Sequence, residues 1–521
     1  MAFSYKRSDS CCRQVILPGT LDCCDRPRQV EAAVITAHDF LLGRRCLKLA
    51  WHRFNAPELL AAPDPAARWA AWEAQKVKAL ARELFPAGVQ TPREGATEER
   101  LAATSRALRQ RATVYDAVFA HNGGLATVDI VAPAVGGGWD LAQVSSGMRS
   151  SRQNLEALAF RSHIAGGAGV PVRRVFLLRV NGGYIRQGAI NPREFFTFEE
   201  VTAQVGGLGA EVDGILNEIQ ATARRRESPE PGLGPYCEEP QPCPLQARCW
   251  AHVPPDNVFQ LHRLRREQAF AFARSGVLAL QHIPPGFSPT KPRRIQLTTL
   301  ATGRSFVDRP ALAGFLSRIQ YPIHFLDFET FATALPPFDG LRPYQQTLFQ
   351  FSLQVAPAAG APVAHHSFLA EGPGDPRPAL LSQLSQHLGE SGSILAYNAK
   401  FELGVLAEAG AAFPRHAAWL EGLRPRFVDL LAPFKGFAYY HPAQKGSASL
   451  KAVLPALTGR GYEDLAIREG NTASFEFLRA AYGEATAEER QATRRNLEAY
   501  CRRDTEAMVW ILAELQKLAA G

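Results

Sequence analysis

The 521-residue chain has no uninterrupted apolar run approaching the roughly 18 residues of a membrane span, which excludes a spanning helix of ordinary hydrophobicity. Its first residues lack the charged, apolar and small-residue order of a secretory leader. A cytoplasmic location is the expectation. In a reducing compartment the nine cysteines do not make a disulfide frame, so metal binding or plain burial is left to them. No internal repeat and no low-complexity tract beyond an Ala/Arg bias is present. Neither sign of charge dominates: 58 Lys and Arg against 50 Asp and Glu give +8, which suits a polyanionic partner without requiring one.

What remains is ordinary globular material, 46% hydrophobic and 21% charged. The length exceeds what one core fills, so several domains are expected. Residues 1–255 alternate helical and strand-like segments and end in a Pro/Cys-rich stretch. Residues 256–320 read as a helical connector, with helices over 261–274 and 309–319 around the Pro/Gly-rich 283–292. Residues 321–521 read as three strands, a helix, a strand, a helix and a long C-terminal helix. That order predicts a mixed α/β sheet. The arginine runs at 224–226, 263–266 and 293–294 fit a solvated face or a phosphate track.

The strongest chemical signal is Tyr321-Pro-Ile-His-Phe-Leu-Asp-Phe-Glu-Thr330. Residues i and i+2 of a strand share a face, so Asp327 and Glu329 stand side by side. Adjacent carboxylates repel unless a cation separates them, which points to a divalent metal. Ile394-Leu-Ala-Tyr-Asn398 then runs as a strand into a helix whose first turn carries Glu402. Near the C-terminus Tyr500-Cys-Arg-Arg-Asp504 sets a phenol and a carboxylate one helical turn apart. This is the arrangement of a metal ligand beside a group that can orient water.

Asp327-Phe-Glu329, Asn398-Ala-Lys-Phe-Glu402 and Tyr500-x-x-x-Asp504 resemble, in that order, the three motifs of RNase H-like DEDD exonucleases with tyrosine in the third motif. Gly446-Ser-Ala-Ser-Leu-Lys451 is similar to the segment those enzymes carry between the second and third motifs. The resemblance implies two Mg2+ or Mn2+ ions held by Asp327, Glu329, Glu402 and Asp504, with Tyr500 orienting the attacking water. It departs at Glu402, where the family usually has aspartate. The extra methylene asks for backbone compensation or a preference for Mn2+. Asn398, Lys451 and Tyr440, the last in Tyr439-Tyr440-His441, are candidate substrate contacts. Asp429 is either a supporting contact or a helix cap, His324 a core histidine, and Cys501 a buried small residue.

The N-terminal part has its own signature. Cys237-x5-Cys243-x5-Cys249 with the distant Cys46 gives four thiolates that suit zinc or an iron-sulfur cluster. The pattern resembles the iron-sulfur RecB-type nucleases of the PD-(D/E)XK, restriction-endonuclease-like fold, and that resemblance implies a 4Fe-4S cluster. Val128-Asp-Ile-Val131 followed by Gly136 to Ser145 reads as a hairpin matching the acidic core of that fold, with Asp116 aligning with an acidic residue on a preceding helix. Asp129 is retained, but Gln143 stands for the family's glutamate and Ser145 for its lysine. This site is expected to be degenerate, leaving a nucleic-acid-binding or scaffold module. The adjacent pairs Cys11-Cys12 and Cys23-Cys24 read as a frayed tail rather than a zinc site. Both halves together resemble a bacterial family of unknown function that joins the two nuclease types. The implied activity is 3'-to-5' exonuclease on single-stranded DNA or RNA; a non-catalytic binding or redox-sensing scaffold is the alternative.

Overall fold

The computed structural model describes residues 33–284 and 286–521. Cys11, Cys12, Cys23 and Cys24 lie outside the described residues. The protein is mixed α/β, built on two mixed sheets and one short strand pair. No helix among the described residues is long and apolar enough to cross a membrane.

The N-terminal sheet has seven strands, β1 (Ile35–Thr36), β2 (Val89–Gln90), β3 (Val114–His121), β4 (Gly124–Pro133), β5 (Trp139–Ser145), β6 (Val172–Val180) and β7 (Phe196–Glu200). Its spatial order is β2-β3-β4-β5-β6-β7, with β1 pairing to β4. β4 and β5 form an antiparallel pair, as the alternating apolar residues predict. The Arg152–Gly167 helix buries Leu158, Phe160 and Ile164 into the main core of this sheet, while the Pro65–Arg82 helix contributes Val77 and Ala81 to a second core. Asp116 is not on a helix: it lies within β3 at φ 52, a kinked position between the pairs Tyr115↔Ile130 and Ala117↔Val128.

Between the sheets the chain is more helical than the sequence pattern suggests. The helix predicted over 261–274 begins at Arg266, and Lys291–Thr302 is a helix just beyond the Pro-rich stretch, where no regular element is apparent in the sequence. Pro292 sits in its first turn, where a missing N–H is harmless. β8 (Phe306–Val307) pairs with the short strand Tyr439–Tyr440, and the Arg309–Leu316 helix packs Leu312 and Phe315 into the C-terminal core.

The C-terminal sheet comprises β9 (Ile323–Phe331), β10 (Thr347–Ala356), β11 (Ala364–Leu369), β12 (Ser393–Ala396) and β13 (Phe427–Asp429). Its order is β11-β10-β9-β12-β13; β9 is antiparallel to β10 and parallel to β12. Helices cover both faces, which is why the central strand β9 is apolar almost throughout. Leu326 and Phe328 face the helices Arg377–His387 and Ala399–Ala412; Phe325 and Phe331 face the C-terminal helix Ala487–Ala520, which brings Leu497, Met508 and Ile511 to the same core. By the same alternation Asp327 and Glu329 interrupt the face covered by that C-terminal helix.

The loop after β9, residues 332–346, meets the N-terminal sheet. Ala334 N donates to Glu73 Oε1 of the Pro65–Arg82 helix at 2.9 Å, and the Tyr344 hydroxyl donates to Ser146 O at 2.8 Å. Ala334, Leu335 and Tyr344 pack with Val77, Val144 and Val180 in one apolar cluster. Burial pushes the Glu73 carboxyl up to about 7.

Candidate metal centre

The polar residues of β10 seat the C-terminal helix across the acidic part of β9. Ser352 lies opposite Asp327 in the register and Gln350 opposite Glu329. Gln350 Nε2 donates to Leu497 O at 3.0 Å, and the Ser352 and Thr505 hydroxyls are 2.8 Å apart. These bonds pin the helix so that Tyr500, Cys501 and Asp504 all face the sheet, although the Gln350 Oε1 stays without a partner. The helix is held at its start by a reciprocal Thr486–Glu489 capping box.

Glu402 arrives from the other side. Asn398 adopts the left-handed conformation, φ 78, between β12 and the Ala399–Ala412 helix, a state asparagine tolerates better than most residues. Asp429 at the end of β13 accepts from Asn398 N at 2.9 Å and from Leu431 N at 3.0 Å, so it holds that turn. Asp429 is thus a backbone clamp. Glu402, 3% exposed, sits in the first turn of the helix, and its Oε2 has no hydrogen-bond partner. The Tyr397 hydroxyl donates to Ala448 O at 2.6 Å, tying the second motif to the segment that presents Lys451.

These elements bring the acidic residues together. Asp327, Glu329 and Cys501 each place a donor atom within 4.8 Å of the other two. Burial raises Asp327 well above the ordinary aspartate range, and the charges of Asp504, Glu329 and Glu402 raise it further. Glu329 is raised by burial, then by Asp504, with Lys451 opposing and Glu402 adding. Burial lifts Asp504 to about 6 against the Tyr462 hydroxyl and Lys451, and burial lifts Glu402 to about 8. Lys451 Nζ donates to the Tyr500 hydroxyl and to Glu469 Oε2, each at 3.1 Å. Burial and the surrounding carboxylates put the Tyr500 phenol far above its usual range, so it serves as a hydrogen-bonding group and not as a base. A Cβ at Gly470 would lie 3.8 Å from the Tyr500 hydroxyl and 3.9 Å from Glu329 Oε2, ordinary contact distances, so this helix start packs directly against the cluster.

Four carboxylates in a largely apolar enclosure, opposed by one ammonium and with one oxygen unpartnered, fit divalent cations. The structure adds residues that the sequence pattern did not single out. The Tyr462 hydroxyl donates to Asp504 Oδ1, and its loop is anchored by the Arg503–Asp464 pair at 2.8 Å. Cys501 is buried as expected, but its Sγ lies 3.5 Å from Asp327 Oδ2.

Three other sequence candidates fall elsewhere. Tyr440 is 3% exposed in the strand pair with β8, stacks on Phe437 and accepts from Gly446 N at 3.0 Å. It cannot stack on a base, because its ring is already covered. Asn398 is exposed at the turn that opens the Ala399–Ala412 helix. His324, 2% exposed, is a core residue.

The N-terminal acidic site is built differently. Asp129 Oδ1 is paired with Lys78 Nζ at 2.8 Å; its Oδ2 accepts from Val144 N at 2.9 Å and from the Gln143 amide. Both carboxylate oxygens are thus engaged, while the buried Gln143 Oε1 has no partner. Lys78 on the Pro65–Arg82 helix supplies the charge missing at Ser145, whose Oγ instead accepts from Gly147 N at 3.2 Å. Asp116 accepts from Arg82 at 2.8 Å, Gln90 at 3.1 Å and Arg93 at 3.1 Å, as a structural ion pair remote from any helix-borne role.

Cys46, Cys237, Cys243 and Cys249 are free thiols lining one cavity of about 600 Å³. Arg45 donates to Tyr236 O at 2.7 Å and Gln241 O at 2.5 Å, tying the Cys237 loop to the helix that ends at Cys46. Burial raises the Cys46 thiol, and Cys243 and Cys237 add to it. Lys48, Arg248 and Arg274 line the cavity with Glu230, which pairs with Lys48 at 2.6 Å and leaves the two arginines as its unmatched charges.

A family model described as a domain of unknown function, DUF2779, matches residues 324–449. The matched segment takes in Asp327, Glu329, Asn398 and Glu402 and ends before Lys451, Tyr500 and Asp504. No curated protein matches the chain.

Proposed function

We propose that the C-terminal unit is a metal-dependent 3'-to-5' exonuclease on single-stranded DNA or RNA. The observation that carries this reading is the meeting of Asp327, Glu329, Glu402 and Asp504 beside Tyr500 at one buried place. The strand order β11-β10-β9-β12-β13, antiparallel then parallel, supports an RNase H-like unit around it.

Asp327, Glu329, Glu402 and Asp504 would hold the cations, and a pair of Mg2+ or Mn2+ ions would supply Lewis-acid stabilisation to a phosphodiester in hydrolysis. Tyr462 engages one oxygen of Asp504, which leaves the other for the cluster. Lys451 occupies a lone pair of the Tyr500 oxygen, so the phenol proton is turned toward the carboxylates and can align a water molecule there. The neutralised Asp129 supports a non-catalytic, PD-(D/E)XK-like role for the N-terminal unit.

The cysteine cavity supports a 4Fe-4S cluster in preference to zinc. Four thiolates on one zinc stand roughly 4 Å apart. Among the described residues, the Asp327, Glu329 and Cys501 group is the one set of three donors within 4.8 Å, so the four thiols enclose a wider space. A bound cluster supplies a rigid thiolate-held brace between distant segments.

The test is digestion of 5'-labelled and 3'-labelled single-stranded DNA and RNA with Mn2+ or Mg2+, comparing wild type with Asp327→Ala. Metal-dependent shortening from the 3' end, absent in the variant, is expected. Equal behaviour of the two proteins on every substrate would sink the nuclease reading.

A further inference from the structure

Cys501 is the donor in the acidic cluster for which hydrolysis on hard cations has no use. It follows Tyr500 directly and is fully buried, and its thiol meets Asp327 Oδ2 at 3.5 Å and Asp327 O at 4.0 Å. A packing role alone is met by any small apolar side chain. Sulfur at this place changes which cations the cluster prefers, because thiolate selects soft or borderline ions and carboxylate alone selects hard ones.

Two separate observations bear on it. Asp327, Glu329 and Cys501 have donor atoms within 4.8 Å of one another, and donors sharing one tetrahedral zinc stand roughly 3.5 Å apart. Glu402, 3% exposed, has an unpartnered Oε2 and lies near enough to Asp327 and Glu329 to act on both. The cluster therefore holds a buried carboxylate oxygen without a partner near a sulfur that stands 3.5 Å from Asp327 Oδ2.

We propose that Asp327, Glu329 and Cys501 form a mixed carboxylate–thiolate site for a thiophilic divalent cation of the Zn2+ class, competing with the hard ions of the same cluster. The inference rests on the reading of the cluster as a cation site. On binding, the Cys501 S–H proton leaves to solvent as the sulfur–metal bond forms, with no change in oxidation state. Such an ion outcompetes Mg2+ and Mn2+ for this donor set and takes the two carboxylates they need. The consequence is inhibition by Zn2+ or Cd2+ that excess Mn2+ reverses.

The probe is Co2+, which stands in for Zn2+ and shows a thiolate-to-metal charge-transfer band. Full-length wild type, Cys501→Ala, Cys501→Ser and Asp327→Asn are titrated with it, and folding of each is checked by circular dichroism. Asp327→Asn keeps every cysteine, so it separates this site from the four-cysteine cavity. The expected result is one Co2+ equivalent with a thiolate band in wild type over and above any uptake by the four-cysteine cavity, weakened at least about tenfold in all three variants. Wild-type spectra in the cysteine variants, or an undiminished band in Asp327→Asn, overturn the proposal. A thiolate band in a protein that cleaves nothing keeps this site and removes the nuclease reading; robust Mn2+-dependent cleavage with no such band does the reverse.

Discussion

The molecule holds two acidic sites on two sheets, and they differ in what balances their charge. Asp129 is answered within the fold by Lys78, a backbone N–H and the Gln143 amide. Asp327, Glu329, Glu402 and Asp504 share one cation, Lys451; Asp504 accepts from the Tyr462 hydroxyl and Asp327 from the Cys501 thiol, and Glu402 keeps an oxygen without a partner. A buried carboxylate that is already neutralised is part of the scaffold; a group of them left uncompensated needs a cation from outside. The presence of acidic residues at motif positions therefore says less than the account of their partners.

The largest effect that separates the two sites is on catalysis. Asp327→Ala is expected to lower cleavage of labelled single strands by on the order of 10³-fold or more, while Asp129→Ala leaves the rate within about twofold. A rate loss of similar size in Asp129→Ala breaks the comparison. Stability provides the next contrast, with opposite signs. Lys78→Met leaves Asp129 buried and unanswered and is expected to destabilise by roughly 2 kcal/mol, below the value for a fully buried pair because the lysine is partly exposed. Asp327→Asn relieves repulsion in the metal-free protein and is expected to stabilise by on the order of 1 kcal/mol. Urea midpoints measured with a chelator present check both.

The pH dependence sharpens the same point. Burial holds Glu402 protonated up to about 8, above its unfolded value of about 4.3. Between those values the unfolded chain binds fewer protons than the folded one, so the Glu402 contribution to metal-free stability falls as pH rises and levels off above about 8. Added Mn2+ takes the place of the proton, so its stabilising effect grows across that window. Glu402→Gln is expected to flatten this part of the profile in melting curves; an unchanged slope would falsify the assignment. The smallest effect belongs to Glu402→Asp, which shortens the ligand and is expected to shift the Mn2+/Mg2+ activity ratio by about threefold toward Mg2+.

Much of the C-terminal sheet is legible from pattern. Alternation in β10, the apolar run of β9 and the strand-to-helix step before Glu402 each follow from burial on one or both faces. The acidic residues of the cluster are legible because their order and spacing carry them. Their supporters are not. Tyr462 comes from an irregular loop whose position is set by Arg503 and Asp464, a long-range pair without periodicity. Lys78 and Arg82 are spaced i, i+4 on one helix, and they meet Asp129 and Asp116; that spacing is visible, but the acids it serves lie on strands far along the chain. Asp116 is not legible as a strand residue because its strand is kinked there, nor the burial of Tyr440 because it comes from a two-residue strand pair.

Binding of Mn2+ to wild type, Asp327→Asn and Asp129→Asn, followed by calorimetry and by the electron-spin signal of free Mn2+, addresses the central contrast most directly. The account predicts the same uptake in wild type and Asp129→Asn and a loss of at least about tenfold in affinity in Asp327→Asn. Full uptake by Asp327→Asn, or its loss in Asp129→Asn, contradicts it.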